Sequence, residues 1–356
     1  MKKTLIALVL ALVLAVSVFA ITACGKEQPS DTDKDAVTVL ASVSDVYKEI
    51  TGKDFPMAGL FVRADVLEEA PGLVADVDAS IKASAEAFNN STSAVAAKAE
   101  KINGFSLKAK VIESAASKMN VGYKSAADSK SDVETLLGNI GATATDDLFA
   151  ALTESTSTYA PDSASYTLCA PDGAPVLALA DMWGNSFTEE GTTDTVEMSY
   201  SVIAESNVLQ NMTSGEADFI VAPINVGANV HNGFKGDKMQ YDYKLVNVTS
   251  WGVVYFTTNN DKYSPRDEFA EDREGALEFL KQFDGDTVST IGLAAIPGKT
   301  AEYLFKQAGA NVTLSGSDAT VIQQSYVKGD SMTAVFADPG IRATNIASQK
   351  CLSWSM

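Results

Sequence analysis

Apolar runs and turn signals alternate along the second half of the chain. Tyr166–Ala170 is a short apolar run that reads as a buried strand. Pro171-Asp172-Gly173-Ala174 breaks it with turn chemistry, and Pro175 suits the first turn of a helix, where a missing N–H costs nothing. Val176, Leu177, Leu179, Met182 and Trp183 give that helix, Pro175–Trp183, one apolar face. A second unit repeats the order: strand Thr287–Ile291, small-residue loop Ala294–Gly298, and helix Thr300–Gln307 stopped by Gly309. Each unit is followed by a glycine and an acid leading into a further strand. These are Gly215-Glu216-Ala217-Asp218 before Phe219–Ala222 and Pro223, and Gly329-Asp330-Ser331-Met332 before Thr333–Ala337 and Asp338-Pro339. Lys244–Val248 and Val253–Thr257 lie between the units and are β-rich. Two copies of one α/β pattern predict two similar lobes.

The first half reads differently. Val37–Leu40 and Met57–Val62 are its strand candidates. Helical patterns cover Val43–Ile50, Asp65–Phe88 with a break at Pro71-Gly72, Ser93–Ile102, Leu107–Ser117, Ser131–Leu137 and Asp146–Leu152. A part so rich in helix has no sheet of its own to complete. Glu154–Ala164 is a Ser/Thr/Pro-rich linker without apolar period. His231 is expected on the surface of the short helix Val226–His231.

Composition narrows the function classes. The chain has 356 residues, 46% of them hydrophobic, enough for a sizeable core and about two domains. Its net charge of −19 argues against binding nucleic acid by phosphate neutralisation. A single histidine excludes multi-His metal sites and leaves any Ser-His-Asp triad dependent on His231. Nothing in the residues calls for a cofactor or a metal. The N-terminus is a targeting segment: Lys2 and Lys3 form a positive region, and Leu5–Phe19 is an apolar core. Gly25–Asp31 after it is a polar tether with no apolar residue to pack. Cys169 falls in a predicted strand and reads as core; Cys169 and Cys351 are expected to stay unpaired.

Ile21-Thr22-Ala23-Cys24 resembles a bacterial lipobox. The resemblance implies cleavage before Cys24, lipid on Cys24, and an extracytoplasmic protein held at the membrane. Four further stretches, APDGAPVLALADMW, MTSGEADFIVAPINVGANV, VTSWGVVYFTT and FADPGIRATNI, resemble the substrate-binding lipoproteins of ABC importers, of the nitrate/sulfonate/taurine group that also includes thiamine-precursor binders. The likeness implies a two-lobed α/β fold of the type II periplasmic-binding-protein kind that closes on a solute. Permease and ATPase partners are implied with it. Segments within Val43–Phe88 and Leu107–Leu137 resemble the family's C-terminal region yet stand first here, so the resemblance implies a circular permutation. The expected organisation is a signal peptide over 1–23, a tether over 24–36 and the permuted segment over 37–152, packed on both lobes. A linker over 153–165, one lobe over 166–256, the other over 257–346 and a tail over 347–356 complete it.

Candidate ligand contacts lie where predicted strands turn into helices, because free N–H groups there suit a carboxylate, sulfonate or phosphate. Asp172, Gly173 and Ala174 form the first such turn; the alternative is a plain turn with Asp172 as cap. Asn225 either hydrogen-bonds a ligand or caps the helix after it. Thr249 and Trp251 match the family's segment near the crossover, with Trp251 either stacking on ligand or packing in the core. Pro297 and Gly298 are the second unit's counterpart of the first turn, Asp338 follows the next strand, and Phe55 enters the first lobe. Rival readings are a non-transporting surface lipoprotein and a nucleotide enzyme. The second rests on Gly292–Thr300, which has five residues between its glycines where a phosphate loop has four, and Pro297 where the second glycine belongs.

Overall fold

The computed structural model describes residues 38–152, 159, 165–189, 195–258, 262–266, 272–283, 287–290, 295–312, 322–325 and 351–355. In chain order the elements run β1 (Thr38–Ser42), α1 (Val43–Thr51), β2 (Pro56–Arg63), α2 (Ala64–Glu69), α3 (Pro71–Asn90), α4 (Thr92–Ala99), α5 (Ala109–Ala115), β3 (Val121–Ser125) and α6 (Ala126–Asn139). There follow β4 (Ser165–Pro171), α7 (Ala174–Leu179), β5 (Phe187–Thr188), β6 (Thr195–Ile203), α8 (Val208–Ser214), β7 (Phe219–Pro223), α9 (Ile224–Lys235) and β8 (Tyr243–Trp251). The last are β9 (Tyr255–Thr258), α10 (Arg273–Lys281), β10 (Thr287–Thr290), α11 (Ile296–Gln307), β11 (Ile322–Ser325) and β12 (Cys351–Ser355). The chain is α/β with mixed sheets.

The larger sheet has seven strands in the order β3-β8-β2-β7-β4-β6-β5. Its strands β6, β4 and β7 are parallel, and β2 is inserted antiparallel between β7 and β8. The near-continuous apolar run of β2 suits a strand covered on both faces. Ala58, Leu60 and Val62 pack with α3, α4 and α7, while Met57 and Phe61 pack with α6, α8 and α9. Gly59 lets β2 come close to β8: a Cβ there would lie 2.1 Å from the Asn247 carbonyl oxygen.

The smaller sheet has the order β1-β9-β12-β10-β11. Residues 38–152 therefore supply β1 to one sheet and β2 and β3 to the other. β12, inside the segment set aside as a tail, runs between β9 and β10. Helices α1, α10 and α11 bury Tyr47, Phe279, Leu304 and Phe305 over this sheet, where Phe256 stacks on Phe283 at 5.6 Å between centroids.

Among the described residues the chain passes between the sheets twice, at Gly52–Phe55 and at Gly252–Val254. The first passage is set by α1. Ser42 caps the helix by accepting from the Asp45 N–H at 3.3 Å, and Gly52, at φ 71°, ends it with its N–H on the Lys48 carbonyl. The apolar cluster is continuous through both passages, by way of Val43, Tyr47, Phe55 and Val254.

Several expectations are corrected. His231 is not on a helix surface: it is fully buried, because Asp242 and the segment around Thr145 enclose it. Helix Pro175–Trp183 ends at Leu179, and turns follow to Gly184 at φ 88°. Residues 146–152 are not helical beyond the 3-10 turn Asp146–Leu148. β3 reaches only to Ser125, opposite Asn247, which leaves the edge of β8 bare at Leu245. Phe149 bridges to Leu245 there, and the Ala150 N–H donates to its carbonyl at 2.8 Å. Strand Thr333–Ala337 and Cys24 lie outside the described residues. Of the linker 153–165, only Tyr159 and Ser165 are described, and Tyr159 is buried against the α3–α7 cluster.

Candidate functional site

Strand register gathers most of the candidate residues at one edge of the larger sheet. Pro56 pairs with Trp251 and Ala58 with Pro223, so the start of β2 and the ends of β7 and β8 lie together. Leu168 pairs with Phe219 in parallel, which carries Asp172 to the level of Pro223. Asp172–Ala174, Asn225, Thr249, Trp251 and Phe55 thus share an edge. Both passages to the smaller sheet leave from it.

The smaller sheet presents a corresponding edge. Ser42 and Ser355 both pair with Tyr255, and β10 runs parallel to β12. The N-terminus of α1, the start of β9 and the carboxyl end of β10 therefore adjoin the same two passages. Pro297 and Gly298 open α11, which follows β10, and both are buried. Asp338 lies outside the described residues.

The individual positions differ in what they offer. Asp172 is exposed; its Oδ1 accepts from the Ser106 N–H at 3.0 Å, and its own N–H donates to the Ile203 carbonyl at 3.1 Å. Gly173 sits at φ 110°, a conformation that glycine adopts without strain. Asn225 is buried in the first turn of α9, whose N-cap residue is Pro223. Thr249 is fully buried, and its hydroxyl has no hydrogen-bond partner among the described residues. Trp251 has the Lys124 ammonium 4.5 Å from its ring centroid and the backbone of Gly122 against its edge. Phe55 is fully buried, 4.9 Å from the Tyr47 ring, and offers no open face.

Charge is organised around Lys124. Its ammonium bonds Asp54 at 2.5 Å and Asp132 at 3.1 Å, while Lys48 reaches the other oxygen of Asp54. Burial opposes ionisation of Asp54, yet the bonds from Lys124 and Lys48 outweigh it and hold that carboxyl below its ordinary value.

Some residues at these edges carry no sequence signal of their own. Tyr255, at the start of β9, donates to the Lys118 carbonyl at 2.6 Å and so ties the smaller sheet to the segment before β3. Burial, with Asp45 nearby, pushes its phenol up to about 12. Asn120, at φ 43°, donates from its side chain to the Gly252 carbonyl at 2.8 Å and accepts from the Trp251 N–H. Glu205, just past β6, is exposed, but desolvation by the surrounding protein raises its carboxyl. A left-handed asparagine before a strand is the one local cue that sequence could have supplied. Among the described residues no group of three or more His, Cys, Asp or Glu is placed to hold a metal ion.

No family model, curated protein or solved structure matches this chain.

Proposed function

We propose that the protein is a membrane-anchored extracytoplasmic solute-binding protein that captures a small molecule between two lobes and delivers it to an ABC importer. In this reading the two sheets are the cores of the lobes of a type II periplasmic-binding fold. The solute lies between their facing edges, near Asp172, Asn225 and Thr249 on one side and the start of α11 on the other. Lipid on Cys24 holds the protein at the membrane, a permease and its ATPase receive the solute, and the protein performs no chemistry on it.

One observation carries the reading. Among the described residues two α/β sheets are joined by two short passages, and both passages leave from edges where strand ends and helix N-termini meet. Such edges are where open α/β sheets take ligands, and short passages suit hinge closure. The exchanged order of segments is supported by how residues 38–63 enter: β1 pairs with β9, and β2 lies between β7 and β8. An early segment thus completes sheets that later strands begin.

The test is a thermal-shift screen of the full chain against small anions, sulfonates, amino acids and pyrimidines. A ligand that binds only the native state stabilises it by about 2.7 kcal/mol at a hundredfold excess over Kd. One chemical class is expected to raise Tm in a concentration-dependent way. A flat response in every class would sink the reading and leave a non-transporting surface lipoprotein in its place.

A further inference from the structure

His231 is the only histidine in the chain and it is fully buried, yet both ring nitrogens have partners. Nδ1 is 2.6 Å from Asp242 Oδ1. Nε2 is 3.0 Å from Thr145 Oγ1 and 3.3 Å from Asp147 Oδ1. Thr145 Oγ1 in turn lies 2.6 Å from Asp147 Oδ1. Three elements meet here: α9 carries His231, the residue before β8 is Asp242, and a strap of residues 143–152 carries Thr145 and Asp147. The strap is also held by Asn232, which donates to the Thr143 carbonyl at 2.9 Å, and by the Ala150 N–H on Leu245.

Proton counting gives this triangle two states. A threonine hydroxyl has one proton, and an ionised carboxylate only accepts. When Nε2 carries a proton, it donates toward Asp147 and Thr145, and the Thr145 proton goes to Asp147. When Nε2 is bare and Nδ1–H points at Asp242, Nε2 accepts the Thr145 proton. Asp147 then loses its bond from His231 and must compete with the bare Nε2 for the single Thr145 proton. The order Asp242–His231–Thr145 is also that of a nucleophile relay. Asp147 competes at the shorter distance for the hydroxyl proton, so the geometry suits a clasp better than a catalyst.

We propose that His231 is a proton-controlled clasp, whose Nε2 proton decides how firmly Thr145 and Asp147 hold the strap 143–152 onto α9. Asp242 and Asp147 face the ring and favour the added charge. Lys244 oppose it from the β8 side and Lys235 from α9, but each bonds the far oxygen of one of those carboxylates. Asp146 is turned away, onto Lys130 of α6. Histidine suits such a clasp because gain or loss of a single ring proton changes both its charge and the donor it offers at Nε2. The inference does not depend on solute binding.

The experiment is amide hydrogen exchange of the full chain from pH 5 to 8, corrected for intrinsic exchange, beside the ring-proton NMR signals of the single histidine. Strap protection, read at Ala150, is expected to fall about tenfold as pH rises, with the midpoint of the His231 signals. Asp147→Asn alters a half-exposed residue and is expected to abolish the pH step. Lys235→Met removes only a partner that does not titrate in this range and should leave the step in place. Protection that is flat with pH, or a step that survives in Asp147→Asn, would overturn the clasp.

Discussion

Gly252 is the residue on which the second passage turns. Its φ is 64°, and a Cβ there would lie 2.5 Å from Ser44 Cβ and 3.1 Å from Phe55 Cδ1. Gly252→Ala meets both a left-handed backbone and packed neighbours, so it is expected to cost about 1–3 kcal/mol or more. Urea unfolding should show a lower midpoint with an unchanged slope. Thr249, on the strand that leads into Gly252, has the opposite expectation. A buried hydroxyl without a partner carries a desolvation cost of about 1–3 kcal/mol, so Thr249→Val should leave the free protein as stable or more so. If the solute bonds that hydroxyl, the same variant shows a smaller ligand-induced rise in Tm; an unaltered rise would remove Thr249 from the site. The sequence displays Thr249-Ser250-Trp251-Gly252 as letters of the right chemistry. It does not display φ at Gly252, or that the Trp251 ring is already taken by Lys124, because both depend on strands distant in the chain.

Elements were legible in proportion to how local their cause is. β2, β4 and β7 lie within a residue or two of their expected spans because each is a short apolar run covered on both faces. No element is predicted over 195–203, although Val196, Met198, Tyr200 and Val202 carry the period of two that a half-buried strand such as β6 shows. The strap was hidden for a different reason. Its helical pattern is overridden by the bare edge of β8 at Leu245, a demand set by where β3 stops. The start of β8 is anchored to α9 in a way that gives a pH prediction. Burial alone would raise the Asp242 carboxyl, but bonds from His231 and Lys244 hold it below its ordinary value. A carboxyl with a lowered folded pKa stabilises the fold above its unfolded value of about 3.9 and loses that contribution as pH falls through the folded value. Asp242→Asn is therefore expected to cost about 2 kcal/mol near neutral pH, with the difference from wild type shrinking below about pH 4. Urea midpoints of both proteins from pH 7 to 3 would show it; a constant difference would mean that the Asp242 charge contributes nothing.

At the scale of the whole molecule, what sequence left dark is which distant pieces share a sheet. β1 pairs with β9 across more than half of the chain, β12 returns from near the end of the sequence to run between β9 and β10, and no period or turn residue encodes either pairing. The same pairings determine how the molecule unfolds. One apolar cluster runs from Phe256 and Leu304 on the smaller sheet, through Tyr47 and Phe55, to Phe61 and Ile224 on the larger. Neither sheet can expose its share of that cluster without uncovering the other's. Unfolding in urea is therefore expected as one transition, coincident by far-UV circular dichroism and by tryptophan fluorescence, since both probes report a shared event. Phe55→Ala removes a fully buried ring at the first passage and should lower the unfolding free energy by about 3–5 kcal/mol, moving that common midpoint down. Two separate transitions, with Phe55→Ala moving only one, would mean that the sheets fold as independent units. The passages would then be tethers rather than the hinge that solute capture requires.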